Sequence, residues 1–557
     1  MPDDWSIFSK ILSARYNNWI PQPPSLDAHV RDPIWGMIKL DWYLQPLIDH
    51  PIFQRLRKIH HLGLANLVYP GANHSRFEHS IGVAHIAGKI LEGLRAQLKK
   101  RNDYEVRITE EMIIELKITG LLHDVGHLPF SHVGERVFED EKVGKSFIDQ
   151  LKMKKKLKKK IVPHEIISAF IVDSKPLKQV YNYINELSMR KEFGGKEIKI
   201  DPQNLQNMIL GVEPKDKRNL FLSQIINGQM DADKVDYILR DSHYSGSPHG
   251  WVDIARLQGA YCIISKEEVI GSQTNNKSSE TLVLGIDEKG ISCVLGIRIA
   301  KIVLSPNVYQ HHAVAIAELM LYRAIKSVII NEKKRIKRTK SQSKILKENE
   351  LIHILPVIND NDLFIELKKR DGFAREMVKR IENREIYKRV YECFPNFQVK
   401  DLEPISEDGD TFERIGTVLL FPKNFIDNLK TINPIEIENF LLAEMKKEKK
   451  VGKDKVLIEF LPLSEKILIP EKGIPVKYRK RKAAPLFMNN PLMASIRIET
   501  PLALWRGLVC SPKGWVIQVQ KLFTNLLKDE DHESQLYQLK DKIVLIEGKI
   551  PFDSDDG

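Results

Sequence analysis

The segment TEEMIIELKITGLLHDVGHLPFSH, residues 109–132, constrains this chain more than any other. Thr109 followed by two glutamates marks a helix start. A threonine hydroxyl accepts from an early backbone N–H, and the acids complement the positive end of the helix dipole. The apolar run behind them predicts a helix over 109–124, and Pro129 limits how far it continues. Such a helix delivers His123, Asp124, His127 and His132 from its C-terminal end. Adjacent helical residues point about 100° apart, yet at a helix end both His123 and Asp124 can turn toward one ion beside the axis. Imidazole nitrogen with carboxylate oxygen suits Mn, Fe, Zn or Ni and fits Ca or Mg less well. Two ligands hold a metal poorly, so other segments must complete the set.

The flanking text is mostly helical from Arg31 to Ser327. DHPIFQRLRKIHHLGL opens with Asp49 as N-cap and Pro51 in the first turn. SIGVAHIAGKILEGLRAQLKK, 80–100, carries Ile81, His85, Ile86, Ile90 and Leu94 on one stripe. TLVLGIDEKGISCVLGIRI, 281–299, predicts a β-hairpin about an Asp-Glu-Lys-Gly turn, and 306–329 an amphipathic helix. The fold class expected is mainly α: a helical core with a small β-hairpin, then an α+β C-terminal lobe. The boundaries expected are a Pro-rich irregular lead-in over 1–30, a core over 31–332, a basic linker or loop over 333–345, and a lobe for oligomerisation or regulation over 346–557. In that lobe IELKKRDGFAREMVKRIENREIYKRVYE reads as helix, and GTVLLFP, KVLIEFLPL and ASIRIE read as strands.

At 557 residues the chain exceeds one core, and 42% apolar content supports a globular interior. No run reaches the roughly 18 apolar residues that suggest a membrane span, and no basic n-region opens the chain, so no membrane partner and no secretory signal are expected. Cys262, Cys293, Cys393 and Cys510 form no CxxC pair, which fits a reducing cytoplasm. The net charge of +12 peaks in KMKKKLKKK (152–160), KKRIKRTK (333–340) and KYRKRK (477–482). These are solvated loops or attractors of polyanions, nucleic acid included. Only Tyr478 interleaves an aromatic, which weakens a single-strand-stacking platform.

Further ligands are available on both sides. HSRFEHS, 74–80, places His79 at a helix start. MDADKVDYILRDSHYSG, 230–246, places Asp233, Tyr237, Arg240 and Asp241 on one helix face. The ordered set His79, His123-Asp124, Asp233, with the surrounding blocks DPIWGMI, HPIFQRLRKI, LGLANLVYPGANHSRFEHSIGVAH, GLLHDVGHLPFSH, PHEIIS and VYQHH, resembles the HD superfamily of metal-dependent phosphohydrolases. More narrowly it resembles the deoxynucleoside-triphosphate (dNTP) triphosphohydrolase branch, over about Asp32 to Arg323.

That resemblance implies one divalent metal held by His79, His123, Asp124 and Asp233, with Mg on the triphosphate. Water would attack the α-phosphorus, releasing a deoxynucleoside and triphosphate. Arg76, Lys234 and Lys301 match phosphate contacts, and His127 and His132 match histidines near the scissile phosphate. His164 matches the catalytic histidine, with Glu135 where the animal enzyme has an aspartate to hold it. Tyr237, Asp241 and Tyr309 match sugar contacts; a tyrosine against the ribose excludes a 2′-hydroxyl. His61 stands, before Leu62, where the animal enzyme reads the 3′-hydroxyl with glutamine. Asp49, Gln54 and Arg57 match a regulatory guanine-nucleotide site, or serve helix packing and surface ion pairs. The expected partners are a dNTP substrate, an activating nucleotide and further copies of the chain. The alternatives are an HD phosphodiesterase acting on single-stranded nucleic acid or a signalling nucleotide, and a non-enzymatic nucleotide sensor. Retention of all four ligands disfavours the sensor.

Overall fold

The first helix, α1 (Asp4–Tyr16), occupies what the prolines at 21–24 suggest is irregular. Ile7, Phe8, Ile11 and Leu12 recur at helical spacing, and Phe8 packs its ring 5.7 Å from Phe147 and 5.0 Å from Phe170. The lead-in expectation is thus corrected for this part: an apolar helical stripe found a core to bury in. The computed structural model describes residues 4–101, 106–155, 161–214, 216–250, 252–269, 281–338, 350–370, 372–396, 418–422, 457–461, 475–477, 483–485 and 506–511. Two compact units emerge. One comprises Met1–Tyr309, Leu321–Val378 and Pro470–Ala494; the other comprises Gln310–Met320, Lys379–Ile469 and Ser495–Gly557. The expected boundaries near 31, 333 and 346 therefore do not coincide with those of the units.

In the first unit β1 (His29–Asp32) pairs antiparallel with β2 (Gly36–Lys39). Helices α2 (Arg76–Arg101) and α3 (Glu110–Leu122) pack on each other. Thr109 caps α3 as expected, accepting from the Met112 N–H at 3.3 Å. The helix stops at Leu122, before Pro129, so the proline does not end it. The following turn finds its hydrogen bonds elsewhere: Ser168 Oγ accepts from Gly126 N, and the buried Arg55 guanidinium donates to the Val125 and His127 carbonyls. Backbone groups satisfied from outside need no further helical turn.

Helix α4 (His132–Asp140) follows that turn, then α5 (Pro163–Val172) and α6 (Ala232–Ser245), capped by Asp231. The helix expected from Asp49 is only Pro51–Gln54, continued as a 3-10 turn over Arg55–Lys58. His50 caps it, its Nδ1 accepting from Ile52 N.

The β-hairpin over 281–299 is not formed. Leu282–Asp287 is a strand, β4, but its antiparallel partner is β3 (Tyr261–Ser265). The second half of the expected hairpin is α7 (Ile291–Leu304), whose buried Cys293, Val294, Ile297, Ala300 and Leu304 follow a helical period. A short apolar run carries either period until a partner strand decides. Ser305–Tyr309 then forms a wide π-helical turn, and α8 (His312–Arg338) begins later than 306 because Pro306 interrupts the ladder. By length and composition alone Glu288–Tyr309 is long and apolar enough to cross a membrane, which counting uninterrupted apolar residues does not suggest. Its Arg298 and Lys301 are nevertheless packed among the groups described below.

The text 351–382 is helical: Leu351–Ile354, then α9 (Asp360–Lys368), then Phe373–Glu382. The end of the long helical reading, Lys388–Asn396, is instead strand β5. In the second unit β5, β6 (Val418–Pro422), β7 (Leu457–Leu461) and β10 (Arg506–Ser511) form a sheet in the order β6-β5-β10-β7. GTVLLFP and KVLIEFLPL thus contain strands, while ASIRIE lies outside the described residues. Strands β8 (Pro475–Lys477) and β9 (Ala484–Pro485) join β3 and β4 in the first unit. The basic linker is helical to Arg338, with 339–345 outside the described residues, as are 156–160 and 478–482 of the other basic runs.

Candidate functional site

Near its start, α2 carries His79, and its Nδ1 donates to Asp236 Oδ2 of α6 at 2.7 Å. Carboxylates only accept, so this bond fixes the ring and turns Nε2 toward Asp233 Oδ1 (3.2 Å) and Asp124 Oδ2 (3.6 Å). His123 is oriented the same way: Nδ1 donates to Gly120 O at 2.8 Å, and Nε2 lies 3.3 Å from Asp124 Oδ1 and 3.8 Å from Asp233 Oδ1. Both Nε2 atoms are buried without a hydrogen-bond partner. Burial opposes charge on His79, but the adjacent Asp233 and Asp236 carboxylates outweigh it and hold the pKa up at about 9. Two buried, unsatisfied imidazole nitrogens facing two carboxylates are the donor set of a divalent transition metal. His79, His123, Asp124 and Asp233 would hold it.

Asp236 is one residue the sequence reading missed. It accepts from His79 and from Arg240 Nε and Nη2 at 2.8 Å, while Arg240 Nη1 reaches Asp32 at 2.9 Å. Arg240, placed by its spacing on the face of Asp233 and Asp241, is instead fully buried in this ion network. One signal for it was Gly82: a Cβ there would lie 2.0 Å from Asp236 Oδ1 and 2.6 Å from Arg240 Nη2. The glycine lets α6 close on α2.

On the other side, Glu135 of α4 gathers two histidines. Its Oε1 accepts from His164 Nδ1 at 2.7 Å and lies 2.8 Å from His127 Nδ1, and the two rings stack at 4.0 Å. Burial pushes Glu135 up, but His164 and His127 more than offset this and hold it well below the usual carboxylate range. Burial, with Arg76 beside it, pushes His127 down to about 4. Their Nε2 atoms lie 3.3 Å (His127) and 3.9 Å (His164) from Asp124 Oδ1. Glutamate therefore spans the gap expected of an aspartate. Gly126 permits the approach: a Cβ there would lie 2.3 Å from Ser168 N and 2.7 Å from His164 O. His132 is different. Its side chain is 78% exposed, with Nδ1 3.5 Å from Glu135 Oε2.

The backbone before α4 is strained, with Phe130 at φ 54° and Ser131 at φ 48°. Asp360 Oδ1 accepts from Phe130 N at 2.6 Å, and Ser131 Oγ bridges His60 O and Arg76 Nε. Arg76 Nη1 donates to Asp124 Oδ2 at 2.6 Å, so it stands at the ligand cluster with charge directed at a ligand.

Beyond His79 lies a third group. His61 sits with its ring centroid 4.5 Å from that of His79, and its Nδ1 is 2.9 Å from Asp241 Oδ1. Tyr309 donates to Asp241 Oδ2 at 2.8 Å. Burial and neighbouring carboxylates push the Tyr237 and Tyr309 phenols well above their ordinary value, keeping them neutral donors. Lys301 Nζ is 5.9 Å from the Tyr237 ring centroid. Burial, then Lys234 and Arg298, push Lys301 down to about 7, as expected of crowded cations. Arg298, not foreseen, reaches the Gln229 side-chain oxygen at 3.3 Å. Lys234 turns back to Gly228 O and Asp231.

Leu62 is half-buried in the turn after His61, its carbonyl accepting from Ala65 N. Of the expected regulatory set, Gln54 donates to Ile48 O, Arg57 Nε donates to Gln54 Oε1, and the Arg57 guanidinium lies 3.5 Å over the Phe77 ring. Burial pushes Asp49 up and Arg57 pulls it down, with burial prevailing.

Residues 76–238 match the HD domain and residues 274–408 the HD associated region. A helical core with His79, His123-Asp124 and Asp233 converging thus has its counterpart in sequence: residues 76–238 of the chain carry an HD domain. The chain is 33% identical to the Dictyostelium discoideum homolog of the deoxynucleoside triphosphate triphosphohydrolase SAMHD1, over 39% of this chain and 36% of that protein. It is 28% identical to human SAMHD1 over 67% of this chain and 56% of the relative. It is also 29% identical to an uncharacterised Methanocaldococcus jannaschii protein over 68% of this chain and 62% of the relative. The chain thus matches between about a third and two-thirds of these relatives' lengths. A crystal structure of a hypothetical protein from Aquifex aeolicus shares the fold, with a TM-score of 0.55 at 22% identity over 89% of this chain and 99% of that one.

Proposed function

We propose that this protein hydrolyses deoxynucleoside triphosphates to deoxynucleoside and triphosphate. The observation that carries the reading is the buried, unsatisfied His79 and His123 pair facing Asp124 and Asp233, with the Glu135–His164 pair on one flank and the cations Lys234, Arg298 and Lys301 on the other. A metal bound by the four ligands supplies Lewis-acid polarisation of a phosphoryl oxygen. Glu135 fixes the His164 ring by its Nδ1, leaving Nε2 to donate a proton to the leaving 5′-oxygen. The oxygen of water forms the new bond to the α-phosphorus as the bond to the 5′-oxygen breaks. The cations neutralise a triphosphate, which one ion cannot do alone. Tyr237 and Tyr309 form the sugar wall and, with His61 and Asp241, favour deoxyribose.

The similarity to relatives named as deoxynucleoside triphosphate triphosphohydrolases supports this substrate. Pool control or depletion of deoxynucleotides during infection is the matching role. Purified protein incubated with Mn²⁺ and each dNTP, singly and in mixtures, should release triphosphate. Pyrophosphate release, or inertness toward every dNTP, defeats the reading. Degradation of labelled oligonucleotide that vanishes in Asp124→Ala would favour the phosphodiesterase alternative.

A further inference from the structure

We propose that His61, His74 and Asp241 form a second divalent-metal site, of two histidines and one carboxylate, beside the first. The three come from separate segments: the turn after Arg55–Lys58, the loop before α2, and α6. All three are buried. His61 Nδ1 and His74 Nε2 each lie 2.9 Å from Asp241 Oδ1, and 3.3 Å from one another. Adjacent ligands of an octahedral ion with bonds of about 2.1 Å lie roughly 3.0 Å apart. The triangle is thus one face of such a shell, the arrangement that leaves the opposite positions open for water or a hydroxyl.

The surroundings hold these groups in place. Tyr309 donates to the other Asp241 oxygen at 2.8 Å, and the His74 ring stacks on Tyr244 at 4.6 Å. Such outer contacts orient ligands in metal sites. The charge balance points the same way. Asp236, on the same helix, is neutralised by the Arg240 guanidinium. Asp241, by contrast, meets two imidazoles and a phenol among the described residues. A buried carboxylate calls for a cation, and imidazole with carboxylate selects Mn, Fe, Co or Zn. His61 joins the two centres, since a ring nitrogen of it also lies within 4.8 Å of ligand atoms of His79 and Asp124. The inference goes beyond the proposed reaction: Asp241 would meet a sugar hydroxyl through a cation rather than directly.

Metal content decides it without reference to turnover. The full chain is loaded with Mn²⁺, dialysed and analysed by plasma mass spectrometry, with anomalous diffraction at the Mn edge locating the ions. The wild type should hold two ions per chain. Asp124→Ala and His74→Gln should each hold one, with the remaining peak at the opposite centre. A wild type with one ion and no peak at Asp241 overturns the proposal, as does an unchanged count in folded His74→Gln. Should His74→Gln lose its circular-dichroism melt, the ion count of His61→Gln and the wild-type anomalous map decide instead. Failure to hydrolyse dNTPs would leave the ion count untouched, so the two readings fail separately.

Discussion

Two carboxylates in this protein each offer one oxygen to two histidines, and they do so on opposite flanks of the same centre. At Glu135 the imidazoles of His127 and His164 are stacked, 16° from parallel with centroids 4.0 Å apart. At Asp241 the rings of His61 and His74 are tilted by 40° with centroids 5.1 Å apart, and their nitrogens converge. Stacked rings sharing one acceptor keep their far nitrogens side by side, aimed at Asp124. That suits holding and delivering a proton. Converging nitrogens suit capturing an ion. The same three chemical groups are therefore disposed for different ends according to ring orientation, which the backbone sets.

The comparison breaks first at Glu135. Glu135→Gln removes the carboxylate that orients the His164 ring by its Nδ1, and kcat should fall about 10²- to 10⁴-fold, the usual worth of general acid catalysis. The metal count should not change. Loss of metal, or a rate within about threefold of wild type, would show that Glu135 does not manage a proton. A control lies between the two clusters. Asp236→Asn leaves Arg240 buried with half its neutralisation and should cost about 3 kcal/mol in urea unfolding. It should also weaken the first metal by roughly tenfold through His79.

Lys301 sharpens the Asp241 side. Burial, Lys234 and Arg298 hold it down at about 7, so it loses its charge as pH rises through neutrality. KM for a dNTP should rise as pH climbs past that value, and Lys301→Arg should move that limb upward. Stability carries the opposite sign. The unfolded chain binds more protons than the folded one between this value and the ordinary lysine range, so the cost of burying Lys301 is relieved as pH rises through that window. A pH-independent KM would remove Lys301 from phosphate recognition. The smallest effect is expected furthest from both clusters: Arg57→Ala loses the contact over Phe77, worth about 0.5–1 kcal/mol at an exposed site, read from the melting temperature.

Much of the centre was legible in sequence because its ligands occur in short, fixed texts. His79, His123, Asp124 and Asp233 meet as expected, and Glu135 does reach His164. What was not legible lies in orientation and long-range partnership. Asp236 and Asp241 are both acids in one helical text, yet Arg240 pairs with the former. Spacing puts Arg240 on the face of Asp233, and its bonds to Asp236 and Asp32 draw it inward. His132 resembles His127 in the text, and the strained turn at Phe130 and Ser131 leaves it largely in solvent. The failed hairpin has the same origin: ISCVLGIRI fits either period, and β3 had already claimed β4.

By itself the sequence determined the helical character, the cap at Thr109 and the set of metal-competent residues, because local periodicity and side-chain chemistry need no distant partner. Only the tertiary structure decided which nitrogen of each histidine faces inward. That choice is made by whatever takes the other nitrogen: Asp236 for His79, the Gly120 carbonyl for His123, Glu135 for His164. Gly120 lies one turn back along α3, but Asp236 and Glu135 arrive from other helices, through close approaches that glycines such as Gly82 and Gly126 allow. A hydrogen-bond direction is a property of two groups brought together in space, and no one-dimensional text carries it.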